Sequence, residues 1–279
     1  MKDFRLPVGE FIESGIDFLV EHLSFITKAS ADIVETVLGA MESGLLLVPI
    51  PVFIVLTAAG VWFLTRDRRL TFGSVLGLVL IWNMGLWAAT VSTLALVLVS
   101  TLCAIALGVP LGILSAINSR MYQAVMPGLD VMQTMPAFVY LIPAIPFFGL
   151  GKTAAIFSTV VFSMPPAIRF TCLGIRQIPA ELVECTTAFG ATRMQRLMKL
   201  DLPLAAPTIM AGVNQTVMLA LSMVVIASMI GAKGLGGEVW KAIQRLQMGR
   251  GFEAGIAIVI VAMILDRVLQ KFGTRKDTQ

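Results

Sequence analysis

Few residues in this chain could do chemistry, and most of those stand at the wrong spacing. Gly149-Leu-Gly-Lys-Thr153 has the ending of a phosphate-binding loop. Such a loop needs a glycine five residues before its Gly-Lys pair, and position 146 is proline. Gly231-Ala-Lys-Gly-Leu-Gly-Gly237 is rich in glycine, but no strand precedes it, so a dinucleotide fingerprint does not apply. It reads as the end of a span followed by a turn. His22 is the single histidine, and Cys103, Cys172 and Cys185 show no CxxC or other ligand spacing. A zinc centre, a Cys–His nucleophile and a Ser–His–Asp triad are all disfavoured, so neither a catalytic residue nor a metal site is expected. The chain shows no means of binding ATP itself.

One polar stretch, Pro179 to Pro203, is different. Glu184 is followed six residues later by Gly190 and, twelve residues on, by Leu202-Pro203. Pro179 can open a helix as its first residue, with Glu181 in the favourable first turn. That helix should run through Glu184 to about Ala188, where Gly190 supplies a left-handed ending. Thr192-Arg-Met-Gln195 fits a capping box for a second helix running toward Leu200. Leu202-Pro203 would then turn the chain back. The expected product is a helix–turn–helix elbow in which Leu182, Phe189, Leu197, Met198 and Leu200 pack, while Glu184, Arg193 and Arg196 reach a partner.

The elements around this elbow are apolar. Of 279 residues, 57% are hydrophobic and 14% charged, and the mean hydropathy is +0.88. A soluble fold of this size could not hide so much apolar surface, so lipid is the expected solvent. The net charge of +4 is mild and says topology rather than nucleic acid. A membrane helix needs about 20 residues, which places spans near 45–65, 70–87, 89–117, 124–148, 153–175, 204–232 and 253–271. Residues 1–44 hold eight acids and three bases and no signal-peptide core. Their apolar residues Phe11, Ile12, Phe18, Leu19, Phe25 and Ile26 suggest amphipathic turns lying on a membrane surface or on the protein. Placing Arg66-Asp-Arg-Arg69 in the cytoplasm puts the N-terminus outside, the C-terminus inside and the elbow in the cytoplasm. Thirteen Lys and Arg then lie inside and eight outside. The basic segment 233–250 runs against that rule and is read as a short outer helix, Gly237 to Gln247. Gly108-Val-Pro-Leu-Gly112, Ser92, Ser100 and Ala104 read as helix-packing surfaces.

The elbow's spacing resembles the coupling-loop motif of permease subunits of ATP-binding-cassette importers. It runs Glu184-Cys185-Thr186, Gly190, then Leu200-Asp201-Leu202-Pro203. The family's usual Ala-Ala pair is replaced by Cys185-Thr186, both small. Met132 to Pro143, Met164 to Arg169, Gly174 to Pro179, Ala211 to Gln215, Leu221 to Ile226 and Gly251 to Ile256 are similar to the permeases of the glycine betaine/proline betaine importers, which include choline and carnitine systems. The likeness covers about residues 85–270. It implies an all-α membrane protein of about seven spans with a type I importer permease core. The parts would be an N-terminal segment 1–44, peripheral spans 45–87, a core 88–271 with its coupling loop at 176–203, and a tail 272–279. It also implies a homodimer in the inner membrane of a prokaryote, two separate ATPase subunits that carry ATP and magnesium, an extracytoplasmic binding protein, and no cofactor on this chain. The ATPase-coupling residues would be Glu184, Cys185, Thr186, Ala188, Gly190, Arg193, Leu202 and Pro203.

The spans at 124–148, 153–175 and 204–232 are the expected pathway. Pro110, Pro136, Pro143, Pro146, Pro165 and Pro166 fall within the spans, and both kinked packing and moving parts account for them. Candidate pathway residues are Met135, Pro136, Phe138, Tyr140, Pro165, Asn214, Gln215 and Ser222. Phe138 and Tyr140 offer faces to a quaternary ammonium, although packing is the simpler reading. For Asn214, Gln215 and Ser222 the simpler reading is interhelical hydrogen bonding. Two alternatives stand beside this one: an importer permease for another small polar solute, and an ion-coupled secondary transporter. The second would use membrane-buried acids, and only Asp266 and Asp130 come near that description.

Overall fold

The computed structural model describes residues 8–274, which are helical almost throughout and contain no strand. The side chains of Ile12, Phe25 and Ile26, and residues 275–279 of the expected tail, lie outside what is described. The helices are α1 (Val8–Leu47), α2 (Ile50–Thr65), α3 (Arg68–Asn83), α4 (Trp87–Ile117), α5 (Ser119–Thr134) and α6 (Leu141–Phe148). They continue with α7 (Lys152–Arg176), α8 (Ala180–Ala188), α9 (Arg193–Arg196), α10 (Leu202–Ala227), α11 (Leu235–Gln244) and α12 (Met248–Thr274).

The centre is built from α4, α7 and α10, which approach closely because small residues face each other. A Cβ added to Gly112 of α4 would lie 2.6 Å from Cβ of Thr171 on α7, and one on Gly212 of α10 would lie 2.6 Å from Cβ of Phe170. Gly108 meets Ala167, and Gly174 meets Ala205 and Thr208. In lipid no hydrophobic force presses helices together, so close backbone contact through small residues supplies the attraction. Ala104 and Ser100 are fully buried, as expected for packing positions. Ser92 differs: its hydroxyl donates to Glu42 of α1.

Among the described residues, three helical runs are long and apolar enough to span: α4, α7 and the continuous run Arg193–Ile230. Two bent pairs raise the number to five, and both correct an expected single span. The 45–65 segment breaks at Val48-Pro49, where Ser30–Leu47 and Ile50–Thr65 meet at 101°. The 124–148 segment breaks at Met135-Pro136, with a bend of 114°. Proline denies the preceding residue the helical region, and Met135 is accordingly extended, with ψ 135°. The 70–87 segment becomes α3, only 16 residues long, and Trp87 already belongs to α4. The 253–271 segment lies within α12, where Glu253, Asp266 and Arg267 shorten the charge-free stretch.

The expected amphipathic turns of the N-terminus are instead one 40-residue helix, α1. Its early residues Phe11, Phe18 and Leu19 are exposed, and burial begins in earnest at Leu38. The expected short helix at 237–247 is α11, two residues earlier at its start. The fold draws Glu42, Ser92 and Lys152 together at one end of the bundle. Elsewhere Asp67 and Arg69 share a cavity with Arg267, Gln270 and Lys271.

Candidate functional site

The elbow is assembled from bonds that close within a few residues. Pro179 is the N-cap of α8, with φ −54° and ψ 135°, so the helix starts one residue later than expected, at Ala180. The helix ends at Gly190, whose φ is +75°. The Gly190 and Ala191 amides donate to the carbonyls of Thr187 and Thr186, satisfying the last turn. Thr192 then makes the expected reciprocal capping box. Its amide donates to Gln195 Oε1 at 2.8 Å, and the Gln195 amide donates to Thr192 Oγ1 at 3.3 Å.

The expected turn at Leu202-Pro203 is absent. α9 flows through a π turn, Leu197–Asp201, directly into α10. Pro203 has no N–H for the carbonyl of Lys199, and in a regular helix its ring would press on that carbonyl. The widened turn relieves this, with the Leu202 amide donating to Leu197. A π turn also puts residues five apart on one face. Arg196 Nε thereby donates to Asp201 Oδ2 at 3.2 Å. Arg196 is thus turned inward rather than toward a partner. Asp201 is 2% exposed and its Oδ1 has no partner among the described residues. The sequence reading missed this carboxylate, because it occupies the motif's unspecified position.

What the elbow leaves exposed is as telling. Glu184, Cys185, Ala188, Gly190 and Arg193 are exposed, Thr186 and Leu202 half-buried, and Pro203 exposed. Glu184 makes no side-chain hydrogen bond or ion pair among the described residues. Phe189 and Met198, expected to pack, are 87% and 61% exposed, and Met194 is 66% exposed. Leu197 and Leu200 are half-buried. The elbow therefore exposes a carboxylate without a partner among the described residues, together with uncovered apolar side chains.

The pathway candidates are not drawn into one lining. Tyr140 is buried; its hydroxyl donates to the carbonyl of Met132 and its ring meets Phe162 edge-on at 5.5 Å. Phe138 is 54% exposed, beside half-buried Met135 and exposed Pro136 at the α5–α6 bend. Pro165 is buried within α7. Asn214 Nδ2 donates to Asp266 Oδ1 at 2.8 Å, joining α10 to α12. Gln215 is exposed, and exposed Ser222 donates back to Met218 within its own helix. A groove of about 770 Å³ lies elsewhere, between α11 and α12, and its walls include Ile243, Phe252 and Met263. Both acids that an ion-coupled mechanism would use are occupied: Asp130 pairs with Arg169 of α7, and Asp266 holds Asn214 and Gln270.

Residues 108–276 match the family model of the binding-protein-dependent transport system inner membrane component. The chain is 44% identical over 275 residues to the glycine betaine transport system permease protein OpuAB of Bacillus subtilis, covering 99% of this chain and 97% of that one. It is 47% identical over 277 residues to the glycine betaine/carnitine transport permease protein GbuB of Listeria monocytogenes, covering 98% of each. In structure it is similar to a chain of the MetNI methionine ABC transporter solved in inward facing conformations. That likeness has a TM-score of 0.56 at 25% identity and covers 75% of this chain and 96% of that one. An all-helical fold with this core and a match across more than half its length place the chain in the family of binding-protein-dependent transport system inner membrane components.

Proposed function

We propose that this chain is the membrane permease subunit of an ATP-driven importer for glycine betaine or a related methylated amine. The elbow carries that reading. Its capped helices hold Glu184 without a partner and Phe189, Met194 and Met198 uncovered among the described residues, and a separate ATPase subunit is the partner they fit. The coupling residues are then Glu184, Cys185, Thr186, Ala188, Gly190, Arg193, Leu202 and Pro203. Because α9 and α10 form one continuous run, a push on the elbow reaches the α4–α7–α10 core without crossing a flexible loop. Closure of two ATPases on ATP draws two elbows together in a homodimer and opens the bundle outward to a binding protein; hydrolysis resets it. The N-terminus lies outside and the elbow and C-terminus inside. No residue of this chain performs catalysis.

The named relatives supply the substrate class. Solute passes near the α5–α6 bend and the faces of α7 and α10. Met135, Pro136, Phe138, Pro165, Gln215 and Ser222 remain the candidates there. Tyr140 and Asn214 act by holding that wall, since both are engaged in bonds to neighbours. The test is ATPase activity of the reconstituted complex with its binding protein across a panel of methylated amines. Stimulation by glycine betaine or a close analogue is expected. Stimulation by none of them overturns the substrate class, and no co-purifying ATPase overturns the permease role.

A further inference from the structure

At the end of the bundle away from the elbow, one carboxylate joins three helices. Glu42 lies near the end of α1, one turn beyond Leu38, which is 2% exposed. Its Oε2 takes the ammonium of Lys152, the first residue of α7, at 2.6 Å. Its Oε1 accepts from Ser92 Oγ, near the start of α4. Lys233, in the turn between α10 and α11, adds a second positive charge nearby. The side chains are partly shielded, Glu42 being 17% and Lys152 31% exposed.

The surrounding backbone is knitted at the same place. Gly151, just before Lys152, packs against Gly231 in the α10–α11 turn, with a Cβ on Gly231 only 3.5 Å from the Gly151 Cα. The Leu235 amide donates to Thr93 Oγ1 at 2.8 Å, so α11 is bonded to α4 one residue from Ser92. The outer ends of α4, α7 and α10 therefore meet under the end of α1. For a transporter to open outward, these ends must part.

We propose that Glu42 is the positioning residue of an outer latch. α1 acts as a clamp, and Glu42 holds the outer ends of α4 and α7 together through Ser92 and Lys152 until the ATPases close. The carboxylate suits this role because it holds a hydroxyl and an ammonium at once, each from a different core helix. A partly shielded pair keeps more strength than an exposed one while remaining close enough to water to be released. The latch biases a two-state equilibrium and touches no solute. This inference rests on the permease reading above.

By linkage, weakening the closed outer end favours the state in which the ATPases are closed, so hydrolysis without binding protein should rise. The experiment uses the full complex with its ATPase subunits, measured without binding protein and without solute. Glu42→Ala is expected to raise that basal rate by about tenfold, Lys152→Met by somewhat less and Ser92→Ala by about threefold, as expected for graded loss of one bias. The charge-swapped double variant E42K/K152E should return to within about twofold of wild type. A purely structural role would lower thermal stability in the three single variants and leave the basal rate per assembled complex unchanged; that result overturns the latch. A swap that fails to restore the rate while Lys152→Met raises it also overturns the pairing. A wild-type complex that hydrolyses no ATP even when binding protein and glycine betaine are added refutes the permease reading and the latch with it. A wild type that hydrolyses ATP but ignores methylated amines leaves the latch testable, because none of its arms contains solute.

Discussion

In the elbow every side-chain hydrogen bond closes within five residues, from Thr186 to Leu182 through Arg196 to Asp201. At the opposite end of the bundle the bonds join residues 50, 110 and 142 positions apart. Most of the elbow's residues are exposed, whereas the residues bonded at the opposite end are buried or half-buried. One region is thus a self-contained module whose shape depends little on the rest of the molecule. The other exists only while four segments stay assembled. That difference suits the proposed machine, whose elbow is delivered rigid to a partner and whose opposite end comes apart.

The sharpest way to break the comparison is to place the same substitution at a positive-φ glycine in each region. Gly234 has φ +125°, and a Cβ there would lie 2.5 Å from Thr93 Oγ1 and 3.3 Å from the Ala89 carbonyl. Gly234→Ala combines backbone strain with a clash that breaks the Thr93–Leu235 bond, so a cost of about 3 kcal/mol or more is expected. Thermal unfolding of the purified subunit in detergent should show it as a large fall in midpoint. Gly190 has φ +75° with nothing within 4 Å of an added Cβ. Gly190→Ala meets only strain, about 1–2 kcal/mol. The subunit should stay folded, while its retention of ATPase subunits on purification falls by about tenfold if the fit of the elbow is what fails. Gly190→Asn should be milder, because asparagine tolerates the left-handed region. Equal loss of stability at both sites would show that the elbow is not a separate module.

A smaller effect probes the joint between elbow and core. Arg196→Ala leaves Asp201 buried with no partner at either oxygen. Breaking a fully buried pair costs about 3–5 kcal/mol. Arg196 is 31% exposed here, and water reaching the vacated site reduces the cost to about 2 kcal/mol. Adding Asp201→Asn should recover most of the stability, since a neutral amide tolerates burial better. If the pair also stiffens the π turn, the double variant will remain poorly coupled, with fewer solutes moved per ATP. Full recovery of both stability and coupling would reduce the pair to charge neutralisation.

The same contrast decides what could be read before the fold was known. The α8 ending at Gly190 and the Thr192–Gln195 box were legible, because each depends on a few neighbouring residue types. The bends at Pro49 and Pro136 were not: hydropathy sums over the window and runs straight through a proline that splits the helix. The turn expected at Leu202-Pro203 failed for the opposite reason. A π turn absorbed the proline, and nothing in the local pattern announces that choice. Glu42 was counted only as one acid among eight in the first 44 residues. Its meaning comes from Lys152, 110 residues away, and no local rule spans that distance.

The smallest expected effect lies where the elbow departs from its family's pattern. Thr186 Oγ1 donates to the carbonyls of Leu182 and Val183, so its hydroxyl is satisfied within its own helix. Cys185 is exposed and forms no disulfide. Neither residue supports the core, and both are small enough to leave the helix surface nearly flat. Replacing the pair by Ala-Ala should therefore change the subunit's stability by less than about 0.5 kcal/mol, as substitutions away from a packed core generally do. Alanine is also the better helix former, which offsets the lost back-bond. Retention of the ATPase should then shift by no more than about threefold. A larger loss, measured by co-purification and by ATP hydrolysis per complex, would mean that the partner reads Cys185 and Thr186 directly. It would move the weight of recognition from the free Glu184 and the uncovered Phe189 onto the first helix's small residues.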